Sequence, residues 1–341
     1  MRFISGHEAI AQGALDAGVN LFAASPEIPI IGLSDRMAEE LPKRGGKFVQ
    51  MEDAPACLGA AVGASAVGQK AMIATSGPGF AHVQELIGYA SINHLPLVVL
   101  QVMTMGPSTG LPNLSMQGDI MQARWGCNGD YQIIALIPSS PKEAYELAII
   151  AFNVSEKYRL PVIVLVDQIT MEMREIVDFR DNPKLTHRLP PRHHFVLSGS
   201  PIGSDGMPTH DPKEIKDLNY QGINNWDSID RIICQYEMDD ANAAIISYGV
   251  TARAAKTAVK ILRQRKQKVG LLKVTTLWPW PRDEILKIEK KIHKIVVAET
   301  NWGQMFKGLR GMCPTSIDIR SVIRLDGRLL TPKEIIDGIT A

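Results

Sequence analysis

The chain has 341 residues, 45% of them apolar and 21% charged, and a formal net charge of +1. That length allows two domains with a substantial core, and the near-neutral balance excludes the strongly basic surface of a nucleic-acid-binding protein. No apolar run reaches the roughly 18 residues of a membrane span and no charged-then-apolar leader opens the chain, so it reads as cytoplasmic. The basic run Arg263–Lys268 falls where cations complement a helix C-terminus. Cys57, Cys127, Cys234 and Cys313 are widely scattered, with no C-x-x-C pair. An iron–sulfur cluster serving this protein would sit on another chain.

In chain order, Ser5-Gly-His-Glu8 has capping-box spacing and predicts a helix that stops at Gly18, followed by a strand Leu21 to Ala24. Pro26 and Pro29 then hold Ser25 to Ile30 in a loop at the strand's carboxyl end. The pattern repeats: a strand near Lys47 to Met51, a helix from Pro55 to Gly68 rich in small residues, a strand Lys70 to Thr75, a helix Phe80 to Asn93 and a strand Pro96 to Val102. After Tyr131 to Ile137 comes a helix with Pro141 in its first turn and a buried strand Pro161 to Asp167. Such alternation predicts a parallel sheet covered on both faces.

Residues 181–235 are turn-rich, with Leu189-Pro-Pro191 and a His193-His194 pair. Adjacent histidines on an extended chain point to opposite faces and have no ligand partner at metal spacing, so no metal site is expected. The last third repeats the first on a smaller scale: strand Ala243 to Ser247, a helix from Thr251, then strands Val269 to Val274 and Lys294 to Glu299. The expected fold class is α/β, with two doubly wound parallel-sheet domains at 1–180 and 236–341 joined by an extended connection.

Two Gly/Pro-rich loops at strand ends, Thr75-Ser-Gly-Pro-Gly79 and Met105-Gly-Pro-Ser-Thr-Gly110, are candidates for one ligand cleft, because glycine lets backbone approach a ligand. By itself each is an equally ordinary strand-to-helix turn. No strand runs into G-x-G-x-x-G with a later acidic residue, which argues against a dinucleotide site.

Several long runs resemble one family: GASAVGQKAMIATSGPGFAHVQELIGYA, GPSTGLPN with QGDIMQARWG, NGDYQIIALIPSSPKEAYELAIIAFNVSEKYRLPVIVLVDQ, Gly206 to Thr209, and Val297-Ala-Glu-Thr-Asn-Trp-Gly-Gln304. Together they cover nearly all of the chain and are similar to the alpha subunit of 2-oxoacid:ferredoxin oxidoreductases, most closely the 2-oxoglutarate type. The resemblance implies a pyrimidine-binding domain for thiamine diphosphate followed by a transketolase C-terminal-like domain. It implies oxidative decarboxylation of a 2-oxoacid, with coenzyme A as cosubstrate and electrons passed to external ferredoxin. It also implies partner chains: a beta subunit holding the diphosphate, its Mg²⁺ and iron–sulfur clusters, a gamma subunit and a ferredoxin-like subunit. On this basis Ser76, Gly77, Pro78, Gly79 and Glu85 are cofactor-binding candidates. Thr104, Gly106, Pro107, Ser108, Thr109 and Asn113 are the substrate-side candidates.

The sequence departs from that family where the chemistry would lie. Relatives read Met-Glu-Asp-Glu-Ile where this chain has Met51-Glu52-Asp53-Ala54-Pro55, so the carboxylate that serves the pyrimidine ring is replaced by alanine. Ile28 stands for a threonine facing the reacting centre, Thr104 for an arginine suited to a substrate carboxylate, and Asn113-Leu114 for a Thr-Lys pair. Two readings follow. In one, the carboxylate role has moved to Glu52, Asp53 or Glu27, and Ile28 with Met103 and Met105 favours a bulkier apolar substrate. In the other, the chain is a diverged paralogue serving as a structural or electron-transfer partner.

Overall fold

The computed structural model describes residues 1–179, 183, 209–217, 226, 228–288, 291–313 and 317–341. His193, His194 and most of the 181–235 connection lie outside the described residues.

The larger sheet is built from β2 (Leu21–Ala24), β3 (Lys47–Gln50), β4 (Ala71–Ser76), β5 (Val98–Met105), β6 (Leu111–Ser115), β7 (Ile134–Leu136) and β8 (Val162–Asp167). An eighth strand, β13 (Thr276–Trp278), arrives from the far end of the chain. The order is β13-β7-β8-β5-β4-β2-β3, with β6 paired to β5, and only β6 and β13 run antiparallel to their neighbours. Alternate residues of each strand enter different cores. Leu21 and Ala23 face the helices Ala54–Ala66 and Gln84–Ile92, whereas Phe22 and Ala24 face Gly6–Asp16, Ile31–Glu40 and Pro141–Tyr158. Burial on both faces explains why the strands read as continuous apolar runs.

The helix Gly6–Asp16 starts on the expected box: Ser5 Oγ accepts from Glu8 N at 3.2 Å and Ser5 N donates to Glu8 Oε2 at 2.8 Å. Two expectations needed revision. The helix anticipated over Phe80 to Asn93 is two pieces, Pro78–His82 and Gln84–Ile92, breaking at Val83. The loop held by Pro26 and Pro29 tightens into a 3₁₀ turn, Ile28–Ile30, that feeds directly into the helix Ile31–Glu40.

The smaller sheet has the order β10-β12-β11-β14-β15, where β10 is Ile233–Tyr236, β11 Ala243–Tyr248, β12 Val269–Val274, β14 Lys294–Glu299 and β15 Asp318–Ile323. β10 is antiparallel and the others parallel. β1 (Arg2–Ser5) and β9 (Arg174–Val177) form a separate antiparallel pair. The two units interlock. Trp278 donates Nε1–H to Ile120 O at 2.8 Å, and Val250 N donates to Asp167 Oδ2 at 2.7 Å.

Asp167 is wholly buried at the end of β8, and burial pushes its carboxyl up to about 6. The folded chain therefore keeps this proton to about pH 6, whereas an unfolded aspartate releases it near pH ~3.9. This contribution is present below the lower value and is lost as pH rises through the higher one. Asp167→Asn keeps an acceptor for Val250 and removes the titration. Denaturant midpoints at pH 5 and 7 should show the wild-type chain losing about 1 kcal/mol more stability over that interval than the variant. Parallel pH profiles would remove Asp167 from the explanation.

Candidate functional site

The carboxyl ends of β2, β4 and β5 open into a cavity of about 410 Å³, within the roughly 300–1,000 Å³ range of small-molecule sites. Loops at strand carboxyl ends are where open α/β sheets bind ligands. The cavity gathers residues spread over almost 90 positions: Glu27 and Ile28 after β2, Glu52 to Ala54 after β3, Ser76 to Gly79 after β4, Thr104 on β5, and Thr109. An adjoining cavity of about 530 Å³ is lined by Gly77, Pro78, Thr104, Gly106, Pro107 and Ser108, with Gly118 and Asp119. Gly77 and Thr104 thus stand on the boundary of both, and the two Gly/Pro loops face one another.

The three candidate carboxylates are not equivalent. Glu52 is exposed at the rim. Asp53 caps the helix Ala54–Ala66, accepting from Ala56 N at 2.8 Å, so its side chain is committed to the backbone. Glu27 alone is held inside: Oε2 accepts from Ser76 N at 2.7 Å and from Ser76 Oγ at 3.0 Å, and Oε1 accepts from Ser25 Oγ at 2.8 Å. Ser76, expected to cradle a cofactor, spends both donors on Glu27.

Other expectations fare differently. Glu85 is exposed, on the second helical piece after the break at Val83, and lies outside both cavities. Asn113 is exposed on β6 and also lies outside both. Met103 is buried in the core, and neither Met103 nor Met105 lines either of these two cavities, since strand alternation turns them away from Thr104. Asp119 precedes the helix Ile120–Trp125 without capping it. Its Oδ2 instead accepts from Gln101 Nε2 at 2.8 Å, and burial pushes the carboxyl up to about 6. Asp119 therefore ties the segment before the helix Ile120–Trp125 to β5.

Sequence reasoning passed over His82, which lines the cavity and is the one basic side chain among its lining residues. The available signal was its place four residues after Pro78, one helical turn along the same face.

The Val297–Gln304 stretch reaches the site from the other unit. Asn301 Nδ2 donates to Gln117 O at 2.8 Å, Gln304 Nε2 to Gly118 O at 2.6 Å, and Thr300 N to Gln117 Oε1 at 3.1 Å. These bonds pin Gln117 and Gly118, the segment after β6 that lines the adjoining cavity through Gly118.

Residues 12–235 match the profile of the pyruvate flavodoxin/ferredoxin oxidoreductase thiamine diphosphate-binding domain, and residues 241–335 match core domain II of pyruvate:ferredoxin oxidoreductase. The chain belongs to this oxidoreductase family. Among its relatives, a 2-oxoglutarate synthase subunit KorA of Methanothermobacter thermautotrophicus is 37% identical, with 99% of this chain and 97% of the relative covered. The ketoisovalerate oxidoreductase subunit VorB of the same organism is 31% identical over equally full coverage. A solved 2-oxoglutarate:ferredoxin oxidoreductase from Magnetococcus marinus, with 2-oxoglutarate, coenzyme A and succinyl-CoA bound, superposes with a TM-score of 0.89 at 28% identity, and this chain spans 64% of that one. A split-gene transketolase shares the fold at a TM-score of 0.63 and 12% identity.

The residues present fit the pyrimidine part of the family's cofactor. A planar ring needs apolar walls and a fixed acceptor, and the cavity offers Ile28, Pro29, Ala54 and Pro112 around the Glu27 carboxylate. A Cβ placed on Gly77 would meet only Ser108 O, at 3.5 Å, so backbone is open there as well.

Proposed function

We propose that the chain is the alpha subunit of a multi-subunit, thiamine diphosphate-dependent 2-oxoacid:ferredoxin oxidoreductase working in the cytoplasm, dividing into units at 1–180 and 236–341. The carrying observation is that Ile28, Ala54 and Thr104, three of the altered positions, line one cavity that still holds a fixed carboxylate, the first Gly/Pro loop and Thr109 of the second. When bound, thiamine diphosphate supplies the electron sink for decarboxylation. This chain's part is to seat the pyrimidine against Ser76 to Gly79 and to form the substrate side with Thr104, Gly106, Pro107, Ser108 and Thr109. A beta subunit would hold the diphosphate with Mg²⁺ and iron–sulfur clusters, alongside gamma and ferredoxin-like subunits, with coenzyme A taking the acyl group and external ferredoxin the electrons. The partner side is open: Ile28 is 63% exposed, and Gly59 and Gly63 present bare backbone on the outer face of the helix Ala54–Ala66.

Charge directs the choice of substrate. Glu27, Glu52 and Asp53 face one histidine, which disfavours a 2-oxoacid carrying a second carboxylate and favours a bulkier apolar one such as a branched or aromatic side chain. Turnover of the purified complex with a panel of 2-oxoacids and coenzyme A tests this. Apolar substrates should lead, and Thr104→Arg should lower KM for 2-oxoglutarate by about tenfold or more, matching the roughly 1.5–3 kcal/mol of a charge-assisted hydrogen bond. Preference for 2-oxoglutarate in the unaltered complex would contradict the substrate reading. The second reading, a diverged paralogue in a larger redox assembly, is favoured by alanine at 54, and no turnover of any 2-oxoacid would support it.

A further inference from the structure

Ala54 is buried at the first turn of its helix, where its methyl group cannot accept a hydrogen bond from a ligand. The space beside it nevertheless contains a carboxylate. A methyl group built on Gly79 would meet Thr75 Oγ1 first, then Glu27 Oε1 at 3.0 Å and Ala54 Cβ at 3.3 Å, so Glu27 and Ala54 approach the same glycine, and Glu27, Ala54 and Gly79 all line the cavity. We infer that Glu27, from the loop after β2, has taken over the carboxylate position vacated at Ala54 and accepts the hydrogen bond of the aminopyrimidine ring nitrogen. The inference rests on the thiamine-dependent reading above.

Three features of the site carry it. First, the group is positioned before any ligand arrives. Ser76 N, Ser76 Oγ and Ser25 Oγ fix its plane, and Pro26 and Pro29 restrict the loop that bears it. Second, acceptor capacity remains. Among the described residues Oε1 accepts from Ser25 Oγ alone, which leaves it a further lone pair. Third, the exchange is reciprocal. A glutamate at 54 would bring a second carboxylate against Glu27, and two like charges in one partly enclosed site oppose each other's ionisation. Alanine at 54 and glutamate at 27 therefore belong together. Glu52 and Asp53 meet neither requirement, one being at the rim and the other committed to Ala56 N.

A purely structural role for Glu27, holding the end of β4 through Ser76, would leave cofactor chemistry untouched, so the test reads the cofactor directly. In the reconstituted complex, thiamine diphosphate content and the rate of hydrogen–deuterium exchange at its thiazolium C2 are measured without substrate for the unaltered chain, Glu27→Gln, Ala54→Glu, and the swap Glu27→Ile with Ala54→Glu. Glu27→Gln should retain the cofactor and slow exchange by about 10²–10⁴-fold, the usual scale of acid–base assistance. Ala54→Glu alone should bind cofactor more weakly, and the swap should restore both content and exchange to within about tenfold of the unaltered complex. Wild-type exchange in Glu27→Gln, or full activity of Ala54→Glu with no gain from the swap, would overturn the assignment while leaving thiamine dependence intact. Absence of thiamine diphosphate from the unaltered complex would overturn both.

Discussion

Gly77→Val empties the complex of thiamine diphosphate while the chain stays folded. Gly77 has φ +48° and ψ −125°, a conformation that residues with a Cβ adopt only under strain of about 1–3 kcal/mol. The strain is small against folding but concentrated at the site, because Gly77 separates the two cavities and its carbonyl accepts from Phe80 N at 3.2 Å to start the next helical turn. A branched side chain there must either enter the ligand space or rotate the Ser76–Gly77 peptide, directly after the serine that holds Glu27. Either response removes the seat of the pyrimidine, so bound cofactor should fall at least tenfold with little change in the unfolding midpoint. A folded variant with full cofactor content would show that the first Gly/Pro loop is only a turn.

Glu299→Ala should cause the largest loss of stability of the substitutions considered, on the order of 3–5 kcal/mol, and Gln304→Ala should weaken cofactor binding with a much smaller loss. Glu299 is wholly buried and accepts from Tyr248 Oη at 2.7 Å and from Met305 N and Phe306 N at 3.0 Å each. Truncation strands three donors away from water, and each costs about 1–3 kcal/mol when unpaired. Gln304 works at the next step outward. It donates to Gly118 O and accepts from Met121 N at 3.1 Å, tying the smaller unit to the loop that carries Asp119. Removing it frees that loop without opening the core. Unfolding midpoints and cofactor dissociation constants, measured side by side, should therefore rank the two variants in opposite orders. Equal cofactor affinity for Gln304→Ala and the unaltered chain would mean that the second unit does not position the site.

Local signals carried most of the fold. The Ser5–Glu8 box, the apolar runs of β2, β4, β5 and β8, and Pro141 at the start of its helix depend on neighbours within a turn or a strand, and each appears where the pattern placed it. The β13 excursion was not readable. Three residues carry no period, and their place beside β7 is fixed by partners about 140 positions away. The same separation of scales governs the site. The loops and the altered positions were visible in the sequence, but the distinction among Glu27, Glu52 and Asp53 was not, because Ser76 selects Glu27 from 49 residues away. Part of the remainder was legible and went unused. Asp53 stands immediately before a helix, where an aspartate caps, and strand parity already turned Met103 and Met105 away from Thr104.

The most direct test of the account is the thiamine diphosphate and iron content of the complex purified anaerobically from its own source on a tag carried by this chain. The account predicts a co-purifying beta-type subunit, near-stoichiometric thiamine diphosphate and bound iron. A stable complex containing iron but no thiamine diphosphate would contradict it, and would mean that the fold and its loops serve assembly alone.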